Sequence, residues 1–248
     1  MDHWKVDVPE GESGGWQVKR FTVTPEMAKK DAMRAAIGSF SSGGRCVPAG
    51  TDTRLGRGEY GVTMSDTPSE RRDHMLAIHE AKGRVLLVGL GLGCVLQAIL
   101  EKLKPLLDSD GRPVWKDHRR VYTDEFAVDH VTVIEQSADV IALVGPHYEA
   151  RYGDRITIIE ADINAWKPPK GERWDTVWID IWDDICADNW PEMKKLHARF
   201  CRRARWCSSW CKYETQKQAA ESRAEEREES YWTSRRAPRY ASPPKGFV

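Results

Sequence analysis

The sequence predicts an α/β protein built on a doubly wound, mostly parallel Rossmann-like sheet with helices on both faces. Three observations carry this expectation. The apolar runs in "GRVLLVGLGLG", "HVTVIEQ" and "RITIIEAD" are continuous rather than strictly alternating, as in strands covered on both faces. They alternate with helical stretches, an order that builds a parallel sheet. The first run ends in glycines that open a helix, the usual form of a nucleotide-facing turn.

The elements follow in order along 248 residues. Residues 1–68 read as a small, partly β appendage, with strands "WQVKRFTVT" and "GVTMS" around a helix "PEMAKKDAMRAAIGSF". Pro25 suits that helix's first turn, and Gly43 and Gly44 lie beyond its end. Residues 69–212 form the cofactor-binding core. It begins with a helix over "SERRDHMLAIHEA", expected to turn Met75, Leu76, Ile78 and His79 to one side. The strand ending in Gly89, Gly91 and Gly93 follows, then a helix over "CVLQAILEKL". An insertion near 105–130 is longer than such connections need and reads as a hairpin or flap. The strand ending at Glu135, a helix to Gly153, the strand ending at Asp162 and a fourth strand "RWDTVWIDIWDD" come next. A basic amphipathic helix and a fifth strand "RWCSSWC" close the core. Little after it resembles further strands, so a sheet truncated at its C-terminal side is an open alternative. Residues 213–248 read as a charged helix and then a disordered end.

Lys and Arg total 38, equal to Asp and Glu, so no global field favours nucleic acid or an anionic membrane. A small-molecule substrate is the expected partner, with a homodimer left open. The N-terminal stretch lacks an apolar segment, and no run approaches the roughly 18 apolar residues of a membrane span, so a cytoplasmic protein is expected. Six cysteines, at 46, 94, 186, 201, 207 and 211, fit reduced thiols better than a disulfide framework. Cys201, Cys207 and Cys211, with His197 as a fourth ligand, form a zinc alternative to ordinary buried thiols, although they lack paired C-x-x-C knuckles.

Gly89, Gly91 and Gly93 let the backbone turn tightly and approach a ligand. Glu135, at the end of the second strand, can accept both hydroxyls of a ribose. The G-x-G-x-G spacing disfavours a dinucleotide, and no Lys-Ser/Thr pair follows as in a P-loop. An adenosine-type ligand without pyrophosphate fits best.

The order "VLLVGLGLG", "VTVIEQ", "RITIIEADI" and "WDTVWIDIWDD" resembles class I S-adenosylmethionine-dependent methyltransferases, and within them the spermidine synthase-like branch, over roughly residues 59–184. The resemblance implies that Gly89, Gly91 and Gly93 face the methionine part of the cofactor. It assigns Glu135 to the ribose, Asp162 to the adenine amino group and Ile163 to packing beside it. Capping of the turn "INAW" is the alternative for Asp162.

Outside the fourth strand, Asp180 and Asp183 reproduce the D-x-x-D with which that branch holds and deprotonates an amine. A carboxylate can orient an ammonium and take its proton. Leu92 stands where the branch carries an acid that grips the amino group of decarboxylated cofactor. Methyl transfer from S-adenosylmethionine to a small, amine-bearing molecule is therefore expected. Aminopropyl transfer from the decarboxylated form and a catalytically inactive scaffold are the alternatives. Magnesium held by Asp180, Asp183, Asp184 and Asp188 with Asn189 is a lesser reading. Trp178 is expected in the core, Asp175 on the surface and Asp184 as a cap, while for Trp182 an aromatic wall against a cationic or planar substrate is the alternative to core packing.

Overall fold

The computed structural model describes residues 4–37, 47–58 and 61–236. The chain begins with an antiparallel sheet of β1 (Gly11–Ser13), β2 (Trp16–Val23), β3 (Gly50–Arg57) and β4 (Gly61–Ser65), in that spatial order, with α1 (Pro25–Ile37) between β2 and β3. Gly14 and Gly15, both at positive φ, make the two-residue hairpin turn that suits the twist of β1 and β2. Residues 38–46, including the expected last turn of α1 and Gly43 and Gly44, lie outside the described residues.

Neither β1 nor β3 is visible in the hydrophobic pattern. In "GTDTRLGR" Leu55 is the sole large apolar residue. The strand is organised by polar contacts instead: buried Asp66 accepts from the backbone N–H of Thr53 at 2.7 Å and of Val6 at 3.1 Å. Lys5 pairs with Asp52 and lies 3.8 Å from Asp66, which compensates the two buried carboxylates.

The core follows as α2 (Pro68–Glu80), β5 (Gly83–Val88), α3 (Cys94–Leu100), β6 (Leu103–Pro105), β7 (Trp115–Lys116), β8 (Arg119–Arg120), β9 (Tyr122–Phe126) and β10 (Val128–Glu135). The remaining elements are α4 (Ala138–Tyr152), β11 (Ile156–Glu160), β12 (Trp174–Ile179), α5 (Trp190–Phe200), β13 (Ala204–Ser209) and α6 (Lys212–Arg236). Five parallel strands lie in the order β11-β10-β5-β12-β13. From β5 the chain builds outward one way through β10 and β11, then the other way through β12 and β13. The crevice where the direction reverses lies between β5 and β12, at the C-terminal strand ends. This is the doubly wound, Rossmann-like architecture. No strand follows β13 among the described residues.

Alternate residues of each strand enter separate cores. Val85, Leu87, Val131, Val133 and Trp178 pack on one face with Val95, Val140, Val144 and Tyr148 from α3 and α4. Leu86, Val88, Ile134, Val177 and Ile179 pack on the other with Met193, Leu196 and Phe200 of α5. Two-sided burial accounts for the continuous apolar runs.

The orientation of α2 differs from the expectation. Met75 and Leu76 are each 45% exposed, while Ser69, His74 and Ala77 are buried. The buried positions follow helical spacing, but small and polar residues occupy them, so a hydrophobic reading selects the wrong face. The insertion is a ladder of β6 and β9 topped by the hairpin of β7 and β8, and Leu107, Trp115 and Tyr122 on it are exposed. Helix α6 is charged and largely exposed; the expected disordered end at 237–248 lies outside the described residues. Among the described residues no helix is long and apolar enough to cross a membrane.

Phe200 is fully buried at the end of α5, edge-on to Trp174. Phe200→Ala is expected to cost roughly 3–5 kcal/mol, read as a lower midpoint in urea unfolding.

Candidate cofactor and substrate site

Strand register assembles this site. Val88 of β5 pairs with Ile134 of β10 and with Ile179 of β12. The next residue of each strand is therefore Gly89, Glu135 or Asp180, and the three emerge side by side. Two hydrogen bonds close the seams: Gly89 N–H donates to the Ile134 carbonyl at 2.8 Å, and Asp180 N–H donates to the Val88 carbonyl at 2.8 Å.

The glycines have different local reasons. Gly89 has φ of 96°, and a Cβ there would collide with the Asp180 carbonyl oxygen. Gly91, also at positive φ, lies under Met64 of β4, where a Cβ would stand 2.8 Å from the sulfur. Gly93 starts α3 in the left-handed region against the Tyr148 ring, whose hydroxyl donates to the Leu92 carbonyl at 3.0 Å. A cavity of about 500 Å³ opens above the strand ends. Gly89, Gly91, Glu135, Asp162, Ile163, Asp180 and Asp183 line it, whereas Gly93 packs behind the loop.

Glu135 is fixed by two backbone donors, Leu90 N–H to Oε2 at 2.9 Å and Ser137 N–H to Oε1 at 2.8 Å. Each carboxylate oxygen retains acceptor capacity, so the group can still receive two hydroxyls without rearranging. Asp162 accepts from Asn164 N–H at 2.8 Å, and its carbonyl accepts from Ala165 and Trp166. It thus organises the turn over "INAW" while lining the cavity. Trp182 is buried, lines the cavity and donates its indole N–H to Glu192 at 2.8 Å. The same Glu192 carboxylate accepts from Asn164 at 2.7 Å, which joins the loops leaving β11 and β12.

Asp180 lies deep in the crevice with its side chain 15% exposed. Burial raises its pKa to about 7, and the neighbouring acids Glu70, Asp73 and Asp183 push in the same direction. His74 approaches to 3.7 Å, too far for a hydrogen bond, and burial holds its pKa down at about 4. Both shifts favour the uncharged forms. Burial is the cause they share, and the neighbouring acids act on Asp180 in the same direction as burial. His74 is locked between Trp4, stacked at 5.6 Å, and Trp178, edge-on at 6.0 Å.

The other acids separate. Asp175 accepts from Arg84 N–H at 3.0 Å at the start of β12. Asp184 is exposed, and its carbonyl accepts from the Asn189 side chain at 3.0 Å, bracing the loop. Among the described residues, Asp180, Asp183 and Asp184 do not bring three ligand atoms within 4.8 Å of one another.

Several lining residues carry no motif in the sequence. Trp16, Leu55, Arg57 and Met64 come from the N-terminal sheet, and Arg57 stands over the Trp16 ring at 5.5 Å. Glu192, which lines the cavity, and His74, which approaches Asp180 without lining it, lie on helices whose charged composition conceals them. The lone signal for His74 is helical spacing, since it falls between buried Ser69 and Ala77.

No family model matches the chain, and no curated protein matches it. Among solved structures it is similar to a tRNA methyltransferase from Aquifex aeolicus, with 14% identity over 52% of this chain and 42% of that one, at a TM-score of 0.34. A glycopeptide N-methyltransferase complexed with S-adenosyl-L-methionine is similar at 18% identity, over 54% of this chain and 45% of that one, at a TM-score of 0.34. An S-adenosylmethionine-dependent methyltransferase from Clostridium acetobutylicum gives 8% identity, 54% and 43% coverage and a TM-score of 0.34. The chain spans less than half the length of each.

Gly89→Ala is expected to destabilise the protein by roughly 2 kcal/mol or more, because strain at positive φ adds to a backbone collision. Thermal unfolding should show the loss, and Gly58→Ala, with open space around it, should lose less.

Proposed function

We propose that this chain is an S-adenosylmethionine-dependent methyltransferase acting on a small, amine-bearing molecule. The observation that carries the reading is Asp180, a carboxylate with its pKa raised to about 7 that lines the same cavity as a preorganised Glu135. Supporting it is the motif resemblance over the glycine loop, the second and third strand ends and the D-x-x-D.

The residues present fit the cofactor. Glu135 presents a carboxylate held by two backbone donors for the ribose, Gly89 and Gly91 keep the loop free of side chains, and Asp162 and Ile163 line the adenine end. Bound there, the cofactor supplies an electrophilic methyl carbon on a sulfonium. Asp180 orients the ammonium of the substrate and accepts its proton, leaving the amine lone pair to attack. Asp183 adds negative charge at the rim, Asp73 and Glu70 keep Asp180 basic enough to take the proton, and Trp182 forms an aromatic wall that suits a cation.

Arg57 favours the carboxylated cofactor over the decarboxylated one. It is a cation lining the cavity, whereas Leu92 is fully buried where the branch carries an acid. Calorimetry on the full chain is expected to show one-site binding of S-adenosylmethionine, weakened about tenfold or more by Arg57→Gln. Binding of 5′-methylthioadenosine, which lacks the carboxylate, should be unchanged by that substitution. No heat at millimolar S-adenosylmethionine would refute the methyltransferase reading, and tighter binding of the decarboxylated form would favour aminopropyl transfer.

The pH dependence follows from the sign of the Asp180 shift. As the required base, Asp180 makes kcat/KM rise through an apparent pKa near 7. Asp180→Asn should remove that limb and lower kcat by about 10²–10⁴. Stability runs the other way. A carboxyl whose folded pKa is raised binds its proton in the native state after the unfolded chain has lost it, so its contribution falls as pH climbs from about 4 to about 7. At pH 8 Asp180→Asn is therefore expected to melt roughly 2–4 °C above the parent despite its lowered kcat. A lower Tm for the variant at pH 8, or activity that survives it, would contradict the assignment.

A further inference from the structure

At the edge of the sheet, away from the cavity, His197, Cys201 and Cys207 bring one ligand atom each within 4.8 Å of one another. We propose that these three residues bind a thiophilic divalent cation of the zinc class, which clips the edge strand β13 to the end of α5. The set differs from the spacing-based one: Cys211 falls outside it, while His197 is a central member.

The local fold explains the convergence. His197 and Cys201 are four residues apart, so they share one face where α5 ends. The chain then reverses through Cys201–Arg203, and β13 returns Cys207 beneath them. The His197 ring is oriented in advance: Nε2 lies 3.1 Å from Ser209 Oγ, and Nδ1 faces Cys201 Sγ at 3.9 Å. With the proton on Nε2 donated to Ser209, the Nδ1 lone pair points into the cluster, the arrangement in which a hydrogen-bonded neighbour fixes a metal-binding imidazole.

The electrostatics agree with this. Burial and the Lys212 ammonium keep His197 neutral, with a pKa held down at about 4, so no proton must leave it before it binds a cation. Burial and the adjacent Cys201 push the Cys207 thiol well above its ordinary value, while Lys212 acts in the opposite sense. A dication between the two sulfurs favours the thiolate form of both. Binding therefore releases their protons and leaves a neutral unit of one cation, two thiolates and one imidazole. Three protein ligands leave a fourth tetrahedral position for water beside exposed Cys201.

The role is structural. Cys207 pairs with Val177 within the β12–β13 ladder and packs against the core that holds α5, so a bridge from Cys207 to α5 braces the sheet where no further strand covers β13 among the described residues. None of the three ligands lines the cavity, so the site stands or falls independently of the methyltransferase reading.

Anaerobic titration of the reduced, EDTA-treated full chain with Co²⁺ tests the proposal. One equivalent should produce a thiolate-to-cobalt charge-transfer band in the near ultraviolet with intense visible bands of tetrahedral cobalt, and equimolar Zn²⁺ should abolish both. Cys207→Ser and His197→Gln should weaken binding at least about tenfold, whereas Cys186→Ser should leave the titration unchanged. If the variants do not fold, the parent chain alone decides: Zn²⁺ should raise its Tm and shield Cys201 and Cys207 from alkylation. Absence of the charge-transfer band, a band that survives Cys207→Ser, or unshielded thiols at saturating Zn²⁺ would overturn it. So would a Cys201–Cys207 disulfide that forms in air despite excess Zn²⁺.

Discussion

The alignment of Ile134, Val88 and Ile179 across three parallel strands is the constraint on which the candidate site depends. Parallel pairing places the following residues, Glu135, Gly89 and Asp180, in one row, and the backbone hydrogen bonds at Gly89 and Asp180 hold that row. A slip of one residue would exchange the two faces of a strand. Because both faces are apolar here, the penalty would arise from mismatched packing rather than from exposed hydrophobic surface. The chain adds a steric lock: Gly89 is the one residue type that tolerates both its φ and the Asp180 carbonyl against its α-carbon. The loop that would cradle a ligand is thereby keyed to the strand that carries the proposed base.

That keying has an electrostatic consequence. The tight seam places Asp180 in a poorly solvated crevice, where Glu70, Asp73 and Asp183 add their charges. A metal or an arginine would relieve such crowding by lowering every pKa involved. Here the neighbouring group is a neutral imidazole, which compensates little. The strain therefore remains at Asp180, and a bound ammonium is the species best able to relieve it. Fold stability and proposed activity are opposed at this residue, as at many functional sites.

The strands lining the crevice were legible in the sequence because each is buried on both faces, and such strands need apolar side chains throughout. Gly89, Glu135 and Asp180 were legible because a parallel sheet puts strand exits at the ligand. Other elements were hidden for physical reasons. β3 is organised through the buried carboxylate of Asp66, so it carries no hydrophobic alternation. The buried face of α2 is small and polar, so Met75 and Leu76 pointed the wrong way. The pKa of Asp180 depends on Glu70 and Asp73, which lie on a helix distant in sequence. In the thiol cluster, linear spacing favoured Cys211, but the reversal after α5 selects His197 with Cys201 and Cys207.

The N-terminal sheet changes what the crevice can recognise. An α/β core of this kind leaves the C-terminal strand ends open, and the residues it contributes here are mostly acidic or apolar. Trp16, Leu55, Arg57 and Met64 join the lining from a separate antiparallel sheet, and Arg57 adds a cation to it. The lining thus carries charges of both signs, Arg57 from β3 and the acids that include Asp180. A zwitterionic amino-acid moiety next to a cationic nucleophile is the charge pattern that fits such a field. The sheet that looks like an appendage in the sequence thus contributes to the lining of the cavity.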